Sequence, residues 1–184
     1  MIECEVKLKI NNPDTIKQKL LALGFIEGDH LTETDIYFDN KNGDIRSNDN
    51  ALRIRETVNH SSKKSYYQFN YKGKKLDDVS VSRPEYELEI SDSVAMKTIL
   101  EQLGYYQVSP IVVKARTLLH TADINACLDS VKDLGDFLEL EVMAETEELK
   151  DRELERIGKI LNSLGYSISE TTTMSYLSAL QKQL

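Results

Sequence analysis

The stretch ECEVK at residues 3–7 decides the fold, because its charged residues alternate with apolar ones. A β-strand points successive side chains to opposite faces of its sheet. Glu3, Glu5 and Lys7 therefore share one face of the predicted strand, and the other face is apolar. The fold depends on whether this charged row faces water or an enclosed space.

The same alternation recurs in later segments, where the charges on one strand face come in blocks that are mostly of one sign. The predicted charged face carries acidic residues at Glu3, Glu5, Glu85, Glu87, Glu89, Asp129, Glu139 and Glu141 and basic residues at Lys7, Arg53, Arg55, Lys72, Arg83, Lys114 and Arg116. For a single strand, a sheet with one solvated face is the simplest interpretation. Like charges adjacent on one face repel, however, and a solvated sheet has no need of them. The set as a whole therefore favours a sheet that turns its charged face inward.

Three helices and about eight strands are predicted. The helices lie at about residues 13–23, 93–103 and 147–164, and each ends at Leu-Gly followed by an aromatic residue. The strands lie at residues 3–10, 35–39, 51–56, 66–73, 84–90, 111–116, 123–129 and 137–142. No linker rich in Pro, Gly or Ser divides the chain, so residues 1–184 are expected to form a single domain. We expect an α+β fold, a closed antiparallel eight-stranded β-barrel with helices packed outside, which can hold one small ligand.

Composition excludes several classes of protein. The 184-residue chain is 40% hydrophobic and has a formal net charge of −8. This acidic balance argues against long nucleic acid as a partner, because the phosphate backbone binds basic surfaces. No apolar run approaches the roughly 20 residues of a membrane-spanning helix, and the acidic N-terminus does not resemble a signal peptide. Cys4 and Cys127 fit no disulfide framework or metal spacing, so we expect buried thiols in a cytoplasmic protein without membrane association.

The charged face itself indicates a ligand. Fifteen charges inside a small barrel cannot all satisfy one another, and unpaired buried charge is costly. A bound ligand resolves these unpaired charges if it supplies phosphates for the Arg and Lys residues and brings divalent cations for the carboxylates. The planar guanidinium group suits phosphate, and hard cations such as Mg2+ bind oxygens shared between carboxylates and phosphates. The sequence therefore predicts a site for a small polyphosphate with bound metal.

The order of short motifs along the chain resembles the CYTH superfamily, the triphosphate tunnel metalloenzymes. ECEVK is similar to the ExExK motif of that superfamily, and it is followed in order by TDIYFD, ALRIRE, YKG, SRPEYELEI, VKAR and LDSVKDLGDFLELE. SRPEYELEI, the LDSV segment and the C-terminal SYLSAL are most similar to the class IV adenylyl cyclase branch. The resemblance covers nearly the whole chain and implies an antiparallel eight-stranded tunnel with charged walls.

The resemblance also implies roles for individual residues. Metal ligands are implied at Glu3, Glu5, Glu139 and Glu141, for two Mg2+ or Mn2+ ions. Ligands of the triphosphate are implied at Lys7, Arg53, Arg55, Lys72, Lys114 and Arg116. Lys7, Glu87 and Asp129 are the implied catalytic residues, and the two acids would bind metal or orient the ligand. A homodimer is expected from the resemblance alone.

Two enzymatic reactions fit these residues. In the favoured one, an adenylyl cyclase converts ATP to cyclic AMP and pyrophosphate, with the ribose 3′-hydroxyl attacking the α-phosphorus. In the alternative, a triphosphatase directs water at the terminal phosphorus of inorganic triphosphate, thiamine triphosphate or a nucleoside triphosphate. A third alternative is a non-catalytic sensor of polyphosphate or nucleotide. Because the three histidines lie near strand ends or in loops, we expect a carboxylate or metal-bound hydroxide as the general base.

Overall fold

The computed structural model describes residues 2–75 and 83–183, without the side chains of residues 2, 3, 147 and 148. In these ranges eight strands form one sheet: β1 (Ile2–Ile10), β2 (Ile26–Asn40), β3 (Ala51–Asn59), β4 (Lys64–Lys72), β5 (Glu85–Ile90), β6 (Tyr105–His120), β7 (Ile124–Val131) and β8 (Gly135–Ala144). The α-helices are α1 (Pro13–Ala22), α2 (Asp44–Ser47), α3 (Ser93–Gln102), α4 (Glu147–Leu164) and α5 (Tyr176–Gln181), and a short 3-10 helix spans Ile168–Glu170. None of the described helices is long and apolar enough to cross a membrane. The predicted α+β class is confirmed.

The sheet is antiparallel throughout, in the order β1-β8-β7-β6-β2-β3-β4-β5. No backbone ladder joins the edge strands β1 and β5 in the described part of the chain, so the closed barrel expected from the sequence is not confirmed. The segment before α5 binds the free edge of β1 instead, where Thr172 N–H donates to Lys7 O at 2.7 Å. Glu5 from one edge and Glu85 from the other still line one cavity, so the sheet curls into an incomplete tunnel.

Strands β2 and β6 are much longer than the sequence predicts. They contain 15 and 16 residues, whereas the alternation indicated only five- and six-residue segments within them. The two strands pair with each other along almost their whole length, with two irregularities in register. The polar start of β2 lacks apolar alternation, and Pro110 within β6 indicates a break. Their mutual pairing, which no local pattern reveals, stabilises both extensions.

The convex face of the sheet packs against α1 and α4 and forms the main hydrophobic core. Its buried members in the sheet are Cys4, Val6, Leu8, Ile10, Leu119, Ile124, Ala126, Leu128, Leu138, Leu140, Val142 and Ala144, and in α1 and α4 Ile16, Leu20, Ile157, Leu161 and Leu164. Their spacing is mostly two in the strands and three or four in the helices. The alternation that buries this apolar face under helices turns the charged residues to the concave side.

Leu161 lies on the face of α4 that packs against the sheet, and its side chain is fully buried. Leu161→Ala is expected to lower the free energy of unfolding by about 3 kcal/mol, because the removed carbons leave a cavity. Urea denaturation followed by circular dichroism measures this difference. Leu103→Ala is the matched control, since that leucine is 68% exposed, and it should change stability by less than about 0.5 kcal/mol. Equal losses in the two variants would contradict this core.

Candidate functional site

The concave face of the sheet encloses a cavity of about 460 Å3. Its charged lining residues are Glu5, Lys7, Asp35, Asp39, Arg46, Asp49, Arg53, Arg55, Lys72, Lys75, Arg83, Glu85, Glu87, Lys114, Arg116, Glu139 and Glu141. The charges that the alternation placed on one face are thus largely brought together. Glu89 is exposed, Asp129 lies behind the cavity wall, and the side chain of Glu3 lies outside the described residues.

Neighbouring strands place unlike charges opposite each other. The directly paired positions are Lys7 with Glu139, Glu33 with Lys114, Asp35 with Arg55, Arg116 with Asp129, and Lys72 with Glu85. At these five positions each charge faces one of opposite sign on the adjacent strand, whereas Glu5 lies opposite Glu141. Opposite charges at paired positions of a ladder attract. Much of the like-charge repulsion expected on single strands is therefore offset by attraction between neighbouring strands.

Asp35 on β2 holds two arginines of β3. It accepts paired hydrogen bonds from Arg55, with Nε to Oδ1 at 2.6 Å and Nη2 to Oδ2 at 2.8 Å, and a third from Arg53 Nη1 at 3.2 Å. Burial alone would raise the pKa of Asp35, but the two guanidinium groups outweigh it and hold the pKa well below its usual range. Asp35 is therefore ionised, and it fixes both guanidinium groups beside the cavity.

Asp129 on β7 does the same for two bases of β6. Arg116 donates to it from Nε at 2.6 Å and from Nη2 at 2.7 Å, and Lys114 Nζ donates at 3.1 Å. Burial acts to raise the pKa of Asp129, but these two cations lower it well below its usual range. Its side chain is 0% exposed. This placement favours a role in positioning Lys114 and Arg116 over direct contact with a ligand.

Glu33 links the two basic pairs, although it does not belong to the charged residues predicted from the sequence. Its Oε2 lies 3.1 Å from both Arg55 Nη1 and Lys114 Nζ. These contacts are ion pairs without hydrogen-bond alignment, since Oε2 has no hydrogen-bond partner in the described residues. Burial alone would raise the pKa of Glu33, but Lys114 and Arg55 lower it to about 2. Glu33 therefore remains ionised and ties β3 to β6 across β2.

Carboxylates of β1 and β8 gather in another part of the cavity. Glu5 lies opposite Glu141 in the ladder, and the ligand atoms of Glu139, Glu141 and the Cys127 thiol lie within 4.8 Å of one another. Glu5 is only 9% exposed, and within the described part of the chain it forms no ion pair or hydrogen bond. A buried carboxylate without a partner, next to two further carboxylates, fits a divalent cation that prefers oxygen ligands. Glu3, the other predicted metal ligand, has no described side chain.

Helix α5 contributes a tyrosine to the basic wall. The Tyr176 hydroxyl donates to Asp129 Oδ2 at 3.0 Å, and its ring packs edge-on against Phe137 with centroids 5.0 Å apart. The Nζ atoms of Lys7 and Lys114 lie 4.6 Å and 5.4 Å from the ring centroid, within cation–π range. Burial and the nearby carboxylates raise the pKa of Tyr176, so the phenol keeps its proton. The SYLSAL motif marked this segment in the sequence without indicating the role of its tyrosine.

Lys72 and the acids of β5 form the opposite wall. Lys72 Nζ lies 2.8 Å from Glu85 Oε2, and Glu85 is partly buried. Glu87 is exposed on the open side of the cavity and accepts hydrogen bonds from the side-chain amides of Gln68 and Asn70. The polar residues of β4 thus orient Glu87. No ion pair to Glu87 occurs among the described residues.

Part of the cavity wall is apolar, and we call it the apolar mouth. It consists of Tyr37, Ile45, Val108, Met174 and Leu177. Tyr37 pairs with Val108 near the end of β2, just before α2. The carboxylate of Asp39 accepts the backbone N–H groups of Ile45 and Arg46 and so fixes α2 at this place. The cavity wall is therefore not charged throughout but has an apolar part as well.

Comparison with known proteins connects this geometry to a family. The CYTH domain profile matches residues 1–176. A candidate adenylate cyclase of Methanocaldococcus jannaschii is 37% identical over 177 residues, which cover 96% of this chain and 97% of that protein. The adenylate cyclase CyaB of Aeromonas hydrophila is 26% identical over 185 residues, covering 99% of this chain and 90% of its own.

Solved structures show the same fold. A protein of Pyrococcus horikoshii OT3 has a TM-score of 0.88 at 30% identity, with 99% of each chain covered. A Hippeastrum protein, described as a candidate adenylyl cyclase with a dominant triphosphatase activity, has a TM-score of 0.67 at 20% identity, with 98% of this chain and 96% of its own covered. At that identity the second likeness concerns the fold alone. Since the family profile spans nearly the whole chain and the charged cavity lies within it, this chain belongs to the CYTH domain family.

Proposed function

We propose that this protein is a metal-dependent adenylyl cyclase that converts ATP to cyclic AMP and pyrophosphate in the charged cavity. The observation that carries the proposal is the combination, in one cavity, of a fixed basic wall, a carboxylate cluster and an apolar mouth. A triphosphate requires the first, a divalent cation the second and a nucleoside the third. The adenylate cyclase names of the 37% and 26% identical relatives support the same reaction.

The basic wall binds the triphosphate through Arg53, Arg55, Lys114 and Arg116. A guanidinium group has five N–H donors, and the bonds to Asp35 and Asp129 leave others for phosphate oxygens. Because these bonds already hold the side chains, little conformational entropy is lost when the ligand arrives. The same N–H donors are positioned to stabilise the negative charge that develops on the phosphate oxygens during the reaction.

Lys7 and Glu139 couple the phosphate and metal parts of the cavity. Their charged atoms are 3.9 Å apart, a longer contact than those of the arginine–aspartate pairs. Glu139 also accepts a hydrogen bond from Arg116 Nη2, so a phosphate has to engage both Lys7 and Arg116 before Glu139 can turn to a cation beside Glu5 and Glu141. Binding of the triphosphate and of the metal is therefore expected to be mutually favourable.

Glu5, Glu139 and Glu141 are the residues proposed to hold Mg2+ or Mn2+. When bound, the cations neutralise phosphate oxygens and the charge that develops on the leaving pyrophosphate. The oxygen-only set offered by the three carboxylates matches the preference of both ions.

In the proposed reaction, the ribose 3′-oxygen forms a bond to the α-phosphorus. The bond from that phosphorus to the bridging oxygen of the β-phosphate breaks, and pyrophosphate leaves. The proton of the 3′-hydroxyl passes to a cavity carboxylate. Glu87 is suited to accept it, because it is oriented by Gln68 and Asn70 and carries no ion pair within the described ranges.

The apolar mouth distinguishes the cyclase from a hydrolase of inorganic triphosphate, since a substrate made only of phosphates has no group to fill it. A triphosphatase acting on a nucleoside triphosphate is the second candidate. The basic wall and the carboxylate cluster serve this reaction equally well, and the fold is compatible with it, since the Hippeastrum protein of the same fold is described with a dominant triphosphatase activity.

Product analysis tests the proposal directly. Purified protein with ATP and Mg2+ or Mn2+ is expected to release cyclic AMP and pyrophosphate in equal amounts, measured by chromatography with mass detection. Inorganic triphosphate and thiamine triphosphate, assayed in parallel, should release little orthophosphate. If orthophosphate is the main product from any of the three, the cyclase proposal is replaced by the triphosphatase. Tight ATP binding without turnover would instead indicate a sensor.

Glu5→Gln tests the metal part of the cavity. The substitution keeps the shape of the side chain but removes the charge, so turnover is expected to fall by at least about 100-fold, as expected when a metal ligand is lost. The protein should remain folded, because Glu5 makes no ion pair that the change would break among the described residues. Glu89→Gln is the control, since that glutamate is exposed on β5 and should leave activity unchanged. Near-normal turnover of Glu5→Gln would exclude its proposed role.

Tyr176→Phe tests the positioning of the basic wall. It removes the hydroxyl that donates to Asp129 and keeps the ring beside Lys7 and Lys114. We expect kcat to fall roughly three- to tenfold, the effect of one buried hydrogen bond, with little change in the KM for ATP. Tyr166→Phe, a tyrosine packed against the main core, is the control. An unchanged kcat in Tyr176→Phe would show that the hydroxyl does not position the wall.

A further inference from the structure

The thiol of Cys127 faces the cavity carboxylates, whereas the other cysteine, Cys4, lies in the hydrophobic core. Cys127 on β7 pairs in register with Glu139 on β8. Its Sγ lies 3.8 Å from Glu141 Oε1, and the ligand atoms of the three residues lie within 4.8 Å of one another. Sulfur and carboxylate oxygens are therefore grouped as a metal site would group them.

A second observation points to a ligand at the same place. Glu5 is nine-tenths buried and lines the cavity together with Glu139 and Glu141. Its Cα lies opposite that of Glu141, and its carboxylate has no ion pair or hydrogen bond in the part of the chain that the structure describes. Such a group is costly to bury unless a cation occupies the space in front of it.

The distance between sulfur and oxygen fits a tetrahedral ion with mixed ligands. Zinc bonds of about 2.3 Å to sulfur and about 2.0 Å to oxygen place these ligand atoms roughly 3.5 Å apart. The contact of 3.8 Å between Cys127 Sγ and Glu141 Oε1 is close to this value. Hard cations such as Mg2+ prefer oxygen ligands to sulfur, whereas Zn2+ and Cd2+ readily bind sulfur ligands.

We propose that Cys127, Glu139 and Glu141 form a site for a thiophilic divalent cation such as Zn2+ or Cd2+, in the cavity that Glu5 also lines. The inference rests on the proposed metal role of Glu139 and Glu141 and extends it to a second class of ion. When the ion binds, the sulfur gives up its proton to solvent and bonds to the metal. Glu139 then leaves its ion pairs with Arg116 and Lys7 and is no longer available as a ligand for Mg2+. The bound ion therefore excludes Mg2+ and stops turnover.

A Cd2+ titration of the purified protein tests the site without any activity assay. Binding through sulfur produces an ultraviolet charge-transfer band between thiolate and Cd2+. The chain has two cysteines, so the source of the band can be assigned with two variants. Cys127→Ser should abolish the band, and Cys4→Ala should retain it. A band that survives Cys127→Ser, or is absent from the wild-type protein, overturns the proposal.

The affinities of the wild type and of Cys127→Ser for Zn2+ and Mn2+ give a second readout. Zn2+ affinity, measured by calorimetry, should fall at least about tenfold in Cys127→Ser, in line with the loss of a ligand. Mn2+ binding, followed by the loss of its free paramagnetic signal, should be the same in the wild type and in Cys127→Ser. If the variant loses Mn2+ as well, Cys127 has a structural role and the inference fails.

Failure of the inference and failure of the proposed function give different results. If Mn2+ binds but the Cd2+ band does not depend on Cys127, the thiophilic site alone is wrong. If Mn2+ does not bind the wild-type protein, the proposed metal role of the carboxylates fails and the inference fails with it. With active enzyme, Zn2+ inhibition should require roughly tenfold more Zn2+ in Cys127→Ser, matching the calorimetric change.

Discussion

The structure depends on the matching of unlike charges across neighbouring strands. Asp35 opposite Arg55 and Asp129 opposite Arg116 are paired positions of the antiparallel ladder, and each pair makes two short hydrogen bonds. Removal of one partner would leave a charge buried without compensation, which is far more costly than the pair itself. The register of β2, β3, β6 and β7 is therefore fixed on the concave face by charge as well as on the convex face by apolar packing.

The charged residues of the cavity are largely paired with one another within the protein. The sequence suggested that a ligand satisfies the charges, but Glu33 and Asp35 on β2, which are not among the fifteen predicted charges, supply partners for Arg53, Arg55 and Lys114. The cavity is thus stable before a ligand binds. Its pairs differ in geometry: Asp35 and Asp129 hold arginines through paired hydrogen bonds, whereas the contact between Lys7 and Glu139 is 3.9 Å long. A fixed frame with a few exchangeable contacts is suited to binding without losing the geometry that catalysis needs.

The strand alternation predicted the eight strands and brought most of the charged residues to one cavity, because period two is a local property. Helix α4 was predicted to the residue from its apolar spacing and its terminal glycine. Glu33 was missed because the polar run at residues 26–34 has no apolar alternation, although Thr32 and Thr34 on alternate positions are typical of a strand.

Other features depend on contacts between distant parts of the chain, which local patterns do not contain. The edge of β1 receives Thr172, more than 160 residues away in sequence, instead of a partner strand. Tyr176 reaches Asp129 only because α5 lies against β6, where Gln181 donates to the carbonyl of Ser109 at 2.8 Å. The positions of α5 and Tyr176 depend on how the whole sheet assembles. The gap between β1 and β5 depends on the same assembly.

The position of α5 also bears on the choice between two reactions that use the same phosphates and cations. A hydrolase must admit water to the terminal phosphorus, whereas a cyclase must exclude it and hold the ribose against the α-phosphorus. Met174 and Leu177 place apolar groups on the cavity wall beside Tyr37 and Val108. Apolar surface there favours a nucleoside and disfavours ordered water. The same segment that occupies the edge of β1 therefore also supplies the apolar part of the cavity wall, on which the proposed cyclase activity rests.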